Sequence, residues 1–271
     1  MTDITAENGV VYLKSNKLKA RHGFATRIGG LSKNEHTKSL NLAFGRGDER
    51  EIVLQNLSLF ADAVGFDAHS IVSVSQIHSA DVRVVTEEDA GQGYFGKEGF
   101  ACDGYVTNTK GLTLGVKTAD CVPILMEARD DMGGVIAVGA VHAGWRGTVG
   151  GIAAECIKKL SAFGASPENI RVCIGPAICG ECYTVREDFY GAVRDALGER
   201  DSERFVIPTS QIGMWRCDLR DMNRELLISA GVKAENIEVS DECTCCMPHK
   251  YFSHRYTGGK RGTMISVISM P

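Results

Sequence analysis

The chain has 271 residues, with 30 Lys and Arg against 34 Asp and Glu and a formal net charge of −4, which excludes a broad cationic footprint for nucleic acid. Its 44% hydrophobic and 24% charged residues are those of an ordinary folded protein, far from the composition of disordered chains. No apolar run approaches the roughly 18 residues of a membrane span, and the start MTDITAENGV has acids where an export signal carries basic residues, so a cytoplasmic protein with no membrane partner is expected.

Area scaling puts the folded surface near roughly 11,500 Å². With only 6 Pro and no Ser/Gly/Pro-rich linker, a single compact domain spanning 1–271 is expected. In chain order, Arg50 to Val64 carries apolar residues at helical spacing and stops at Gly65. Ser70 to Ile77 alternates as a strand and runs into His78, Leu112 to Thr118 runs into Asp120 and Cys121, and Val135 to Val141 runs into His142. The glycines of AGWRGTVGG suit a strand-to-helix turn ahead of a helix from Ile152 to Phe163. Arg171 to Ile174 reads as a strand ending at Gly175 and Pro176. Glu187 to Leu197 and Leu219 to Ala230 read as amphipathic helices, and Thr263 to Ser269 closes the chain as a strand. Strands and helices are interspersed without the regular alternation of a doubly wound sheet.

Three of these strands exit onto a side chain that can bind a metal. Imidazole and thiolate donors make His78, Cys121 and His142 a candidate Zn²⁺ site, and three ligands leave a fourth position open, as in catalytic zinc centres. The spacing itself is not diagnostic, and each residue also has an ordinary reading as a loop or core side chain. The segment CTCCMPHKYFSH holds Cys243, Cys245, Cys246, His249 and His254; read as C-x-C-C it lacks the usual C-x-x-C reach, and local packing is expected. Cys179 and Cys182 form C-x-x-C without a thioredoxin-like context, so no redox role is expected. With 10 Cys in a chain lacking an export signal, reduced thiols are expected rather than disulfides.

Arg27, Arg146 and Arg255 lie beside Gly or small residues, where a guanidinium can hold a phosphate or carboxylate. Lys117 and Asp120 lie within a few positions of Cys121, and Asn41 suits a turn. No Walker A, G-x-G-x-x-G or G-x-S-x-G pattern occurs, which removes nucleoside triphosphate, dinucleotide and serine hydrolase readings.

The blocks HGFATRIGGLS, SLNLAFGRGDE, QIHSADV, DGYVTNTKGLTLGVKTADCVPIL, AVHAGWRGTVGGI, IGPAICGECYTV and YFSHR together resemble the laccase-domain family, also called the polyphenol oxidase or peptidoglycan editing factor family. The resemblance runs from His22 to the final strand. It implies an α+β fold in layered α/β/β/α arrangement with mixed sheets. It also implies one zinc per chain held by His78, Cys121 and His142, the residues chosen from the strand ends. The activity it implies is zinc-dependent phosphorolysis of adenosine, inosine, guanosine and methylthioadenosine, with deamination of adenosine. Purine nucleosides and phosphate are then the partners; the oligomeric state is not readable. Arg27, Asn41 and Arg255 are expected phosphate or ribose contacts, and Asp120 a group for proton transfer or ligand orientation. The family's F-F-S-x-R-R becomes YFSHRY, so Tyr256 replaces an Arg. The alternative is an amide hydrolase that removes a misincorporated amino acid from a peptidoglycan precursor. A copper oxidase is disfavoured because no His-x-His pair occurs among the 7 His, and a zinc-stabilised binding protein would close its fourth ligand position.

Overall fold

The computed structural model describes residues 1–96 and 99–271. Its surface of 11703 Å² is close to the area-scaling value for the chain length. Two six-stranded sheets pack face to face with helices outside both, the layered α/β/β/α arrangement. The first sheet runs Thr2–Thr5, Val11–Lys14, Arg21–Ala25, Met264–Ser269, Thr113–Thr118 and Ile71–Val72. The second runs Ile237–Val239, Ile170–Ile174, Val122–Arg129, Val135–Ala143, Gly104–Thr107 and Val82–Val84. A three-stranded ribbon of Thr184–Val185, Trp215–Cys217 and Val206–Pro208 stands beside them.

The central strands are covered on both faces, so alternation sorts two apolar sets rather than apolar from polar. On Val135–Ala143, Val138 and Ala140 face the space between the sheets, while Ala137, Val141 and Ala143 face the outer helices. Leu125 and Cys173 join the inner set; Ile124, Met126, Val172 and Ile174 join the outer one. Helix Arg50–Val64 buries Val53, Leu57 and Phe60 against the first sheet, each side chain contributing about 1.5 to 3 kcal/mol. Helices Ile152–Ser161, Glu187–Leu197 and Leu219–Ser229 cover the second. Among the described residues no helix is long and apolar enough to cross a membrane.

The expected helices form within a residue or two of their predicted ends, those over Arg50–Val64 and Glu187–Leu197 capped by glycine: Gly65 takes a left-handed φ of 89° and returns its N–H to Ala61 O. The strand expected over 70–77 shortens to Ile71–Val72, because the chain then leaves the first sheet for the second. The strand expected to end at Val141 instead continues to Ala143, which places His142 within it rather than beyond it.

Candidate metal centre and cavity

The three candidate ligands lie where the chain passes between the two sheets. Thr113–Thr118 belongs to the first sheet and Val122–Arg129 to the second, with Asp120 and Cys121 in the crossing between them. His78 sits in the crossing that joins Ile71–Val72 of the first sheet to Val82–Val84 of the second. His142 continues the inward-facing positions of Val138 and Ala140 to the end of its strand. One donor atom from each of His78, Cys121 and His142 lies within 4.8 Å of the others. Tetrahedral zinc with these donors requires separations of about 3.3 to 3.6 Å, so side-chain movements closing at most about 1.5 Å would bring the donors to ligating distance.

Asp103 organises this group. Its Oδ1 accepts from His142 Nδ1 at 2.8 Å and from the His78 N–H at 3.0 Å; its Oδ2 accepts from the N–H groups of Ile77 (3.2 Å) and Ser79 (2.7 Å) and from the Ser79 hydroxyl (2.9 Å). The carboxylate thus fixes the His142 tautomer, leaving Nε2 for the ion, and holds the His78 loop in place. His78 adopts a φ of 59° and Asp120 one of 94°, left-handed conformations that cost non-glycine residues about 1 to 3 kcal/mol each. Gly144 is required by contact: a Cβ there would lie 2.6 Å from His78 Nδ1.

Burial pushes the Asp103 carboxyl up, but the His142 and Ser79 hydrogen bonds dominate and hold it at about 2. Burial lowers His142, whereas its interactions with Cys121 and Asp103 raise it, to about 9. Burial and the neighbouring His142 and Arg146 charges depress His78 against the pull of Asp103, favouring the neutral ring, the form able to bind a metal.

These donors open into a cavity of about 850 Å³. Phe44, Phe100, Ile178 and Tyr183 supply apolar wall, while Arg46, Lys117, Arg255 and Arg261 also line it. Lys117 donates to Ser73 O at 3.0 Å, and its neighbour Gln76 grips its backbone through two hydrogen bonds of 2.7 and 2.8 Å. Burial and the Arg46 charge bring Lys117 down to about 8. The Nε of Arg261 is buried without a hydrogen-bond partner, and none of Arg46, Lys117 and Arg261 joins a salt bridge among the described residues. One part of the cavity is therefore cationic, its three basic side chains lacking an ion-pair partner among the described residues.

The other predicted residues divide. Arg255 lines the cavity, its guanidinium bonded to Cys182 O (2.9 Å), Thr184 Oγ1 and Thr184 O (both 3.0 Å). Asp120 lines it too, with Oδ1 accepting from Thr244 Oγ1 at 2.7 Å and Oδ2 from Arg255 N–H at 2.6 Å, so both oxygens are engaged. Arg27 is outside the lining, with its guanidinium over Phe252 and bonded to Pro248 O. Asn41 is fully buried behind the wall, donating to Ala43 O and Asp48 and accepting from the Thr263 N–H, and so shapes two segments that do line the cavity. Arg146 is exposed beside Trp145. Asp103, Gln76, Arg46 and Arg261 were not singled out from sequence; basic residues in the Gly-rich runs FGRGD and GKRG were the available signal for the last two.

The family described as multi-copper polyphenol oxidoreductase laccase matches residues 21–271. A protein named purine nucleoside phosphorylase from Deinococcus radiodurans is 38% identical over 264 residues, 97% of this chain and 94% of that one. A protein named adenosine deaminase RL5, from an unknown prokaryotic organism, is 34% identical over 249 residues, covering 90% and 92%. The crystal structure of YlmD from Geobacillus stearothermophilus superposes with a TM-score of 0.88 at 33% identity, covering 98% of each chain. On this match, and on the TADC and HAGWRG blocks that carry two of the three candidate ligands, the chain belongs to the multi-copper polyphenol oxidoreductase laccase family.

Proposed function

We propose that this chain is a zinc-dependent purine nucleoside phosphorylase acting on adenosine, inosine, guanosine and methylthioadenosine, with adenosine deaminase activity at the same site. The observation that carries the reading is the three-donor group of His78, Cys121 and His142 opening onto a cavity lined by Arg46, Lys117 and Arg261, which have no ion-pair partner among the described residues. The names of the relatives point the same way. Three protein donors including a thiolate suit a Lewis-acid ion with an open position better than a multicopper redox cluster, which is usually built from His-x-His pairs.

When bound, zinc supplies a positive charge and an open coordination position for an anionic oxygen. His78, Cys121 and His142 hold it, and Asp103 keeps His142 in the ligating tautomer. Arg46, Lys117 and Arg261 bind phosphate oxygens and orient the anion toward the ribose C1′ as positive charge develops on the sugar. Phe44, Phe100 and Tyr183 offer aromatic faces for the purine. In phosphorolysis the C1′–N9 bond breaks with its electron pair going to the base, and a phosphate oxygen bonds to C1′. In deamination water replaces phosphate as nucleophile, attacks purine C6 and displaces ammonia.

Incubation with inosine and phosphate tests the proposal: hypoxanthine and ribose 1-phosphate appear only when phosphate is present. Turnover independent of phosphate, or none, with release of an amino acid from a peptidoglycan precursor instead, would turn the assignment to the amide hydrolase.

A further inference from the structure

The sulfur atoms of Cys179, Cys182, Cys243 and Cys246 lie within 4.8 Å of one another, apart from the cavity donors. The C-terminal run C-T-C-C contains a C-x-x-C spacing within it. Cys243 and Cys246 are three residues apart, a C-x-x-C pair, and so are Cys179 and Cys182. The two pairs meet because they leave the ends of neighbouring parallel strands, Ile170–Ile174 and Ile237–Val239. A further bridge of Ala177 to Cys243 carries the pairing on to the cysteines.

We propose that these four cysteines bind a second zinc ion as a closed tetrathiolate site that locks the outer wall of the cavity. A tetrahedral zinc tetrathiolate has sulfur separations of about 3.8 Å; Cys182 and Cys246 already stand 3.4 Å apart. The backbone is arranged for thiolates: Cys243 Sγ accepts the N–H of Cys179 at 3.2 Å and that of Cys246 at 3.4 Å. Each C-x-x-C segment is also turned on itself, by Cys182 N–H to Cys179 O at 3.1 Å and Met247 N–H to Cys243 O at 3.1 Å. On binding, four S–Zn bonds form and the thiol protons leave to solvent, so the site carries a net charge of about −2. The Arg220 guanidinium, ion-paired with Asp218 at 2.7 Å and bonded to Ser240 O and Glu242 O, lies close enough to Cys179 and Cys243 to interact with their charge. By contrast Cys102, Cys156, Cys173 and Cys217 are buried among apolar side chains.

The location gives the ion a task. The segment after Cys179 supplies Tyr183 to the cavity and anchors Arg255 through Cys182 O and Thr184. The segment after Cys243 supplies Thr244, whose hydroxyl bonds Asp120 beside the ligand Cys121. With four protein ligands the site has no open position and is structural. This inference does not depend on the nucleoside reading.

The test is zinc content of the full-length protein prepared under thiol reductant. Wild type should hold two zinc ions per chain. Cys121→Ala should retain one, and its cobalt-substituted form should show the intense thiolate-to-cobalt bands of a sulfur-rich tetrahedral site. Cys182→Ser/Cys246→Ser should also retain one, with phosphorolysis kcat/KM lowered about tenfold and the thermal midpoint lowered by several degrees. Cys121→Ala holding no metal, holding iron in place of zinc, or containing a Cys182–Cys246 disulfide under reductant would overturn the proposal. Because Cys121→Ala removes only the cavity site, its metal content reads the tetrathiolate site whether or not nucleoside cleavage occurs.

Discussion

Replacing Asp103 with Asn keeps the shape of the side chain and removes its charge and one acceptor. Asp103 accepts five hydrogen bonds, two on Oδ1 and three on Oδ2. An amide offers a single oxygen, so either His142 Nδ1–H and the His78 N–H, or the Ile77 and Ser79 donors, must face an NH₂ group. The carboxylate is completely buried, and each lost charge-assisted bond costs about 1.5 to 3 kcal/mol. A stability loss of about 3 kcal/mol is expected, read as a shift of the urea midpoint in the metal-free protein. Second-sphere partners of ligating histidines change metal affinity or activity by roughly 10 to 100-fold, or about 1.4 to 2.7 kcal/mol. Competition with a chromophoric chelator and kcat/KM for inosine should both fall in that range. The sign with pH also follows. Because the carboxyl is held at about 2 in the fold, below its unfolded value near 3.9, its stabilisation is fully present above about pH 4. It is lost as pH falls toward 2, and Asp103→Asn should flatten that limb. A variant with metal affinity and urea midpoint within twofold and 0.5 kcal/mol of wild type, the scatter of ordinary surface substitutions, would refute the role given to Asp103.

Gly144→Ala should displace His78, since its Cβ falls 2.6 Å from Nδ1, and should lower metal affinity about tenfold or more by chelator competition, with an unchanged far-ultraviolet circular dichroism spectrum. Arg261→Ala should raise the KM for phosphate by about 10 to 100-fold, the worth of a charge-assisted contact, and leave deamination of adenosine little changed. Lys117, brought down to about 8, carries its charge below that pH and loses it above. The KM for phosphate should therefore rise through pH 8 in wild type and stay flatter in Lys117→Arg, compared at matched phosphate dianion concentration. In the metal-free protein His142 is raised to about 9, so zinc must displace its proton, and zinc affinity should strengthen with rising pH up to about 9 by titration calorimetry.

The local layer of this structure was legible in the sequence. Helix Arg50–Val64 follows its apolar spacing to a left-handed Gly65, and the residue types at the ends of three expected strands single out His78, Cys121 and His142, whose donor atoms the fold brings together. Contacts made across the fold were not. Asp103 precedes an ordinary strand, and nothing local marks it as the acceptor for a histidine 39 residues away. Strand Val122–Arg129 is buried on both faces, which erases the alternation that identifies strands. The two C-x-x-C pairs become one site only through the parallel pairing of Ile170–Ile174 with Ile237–Val239, a long-range fact that spacing does not encode. Arg27 and Arg255 look alike in sequence, yet packing against the Phe252 ring keeps Arg27 out of the cavity lining while Arg255 is part of it.

Cleavage of inosine by the zinc-loaded protein, in water enriched in heavy oxygen with ordinary phosphate, tests the central claim most directly. The sugar product should be ribose 1-phosphate with no solvent oxygen at C1′, and Cys121→Ala should form none. Free ribose carrying the solvent label, or full turnover by Cys121→Ala, would contradict the account.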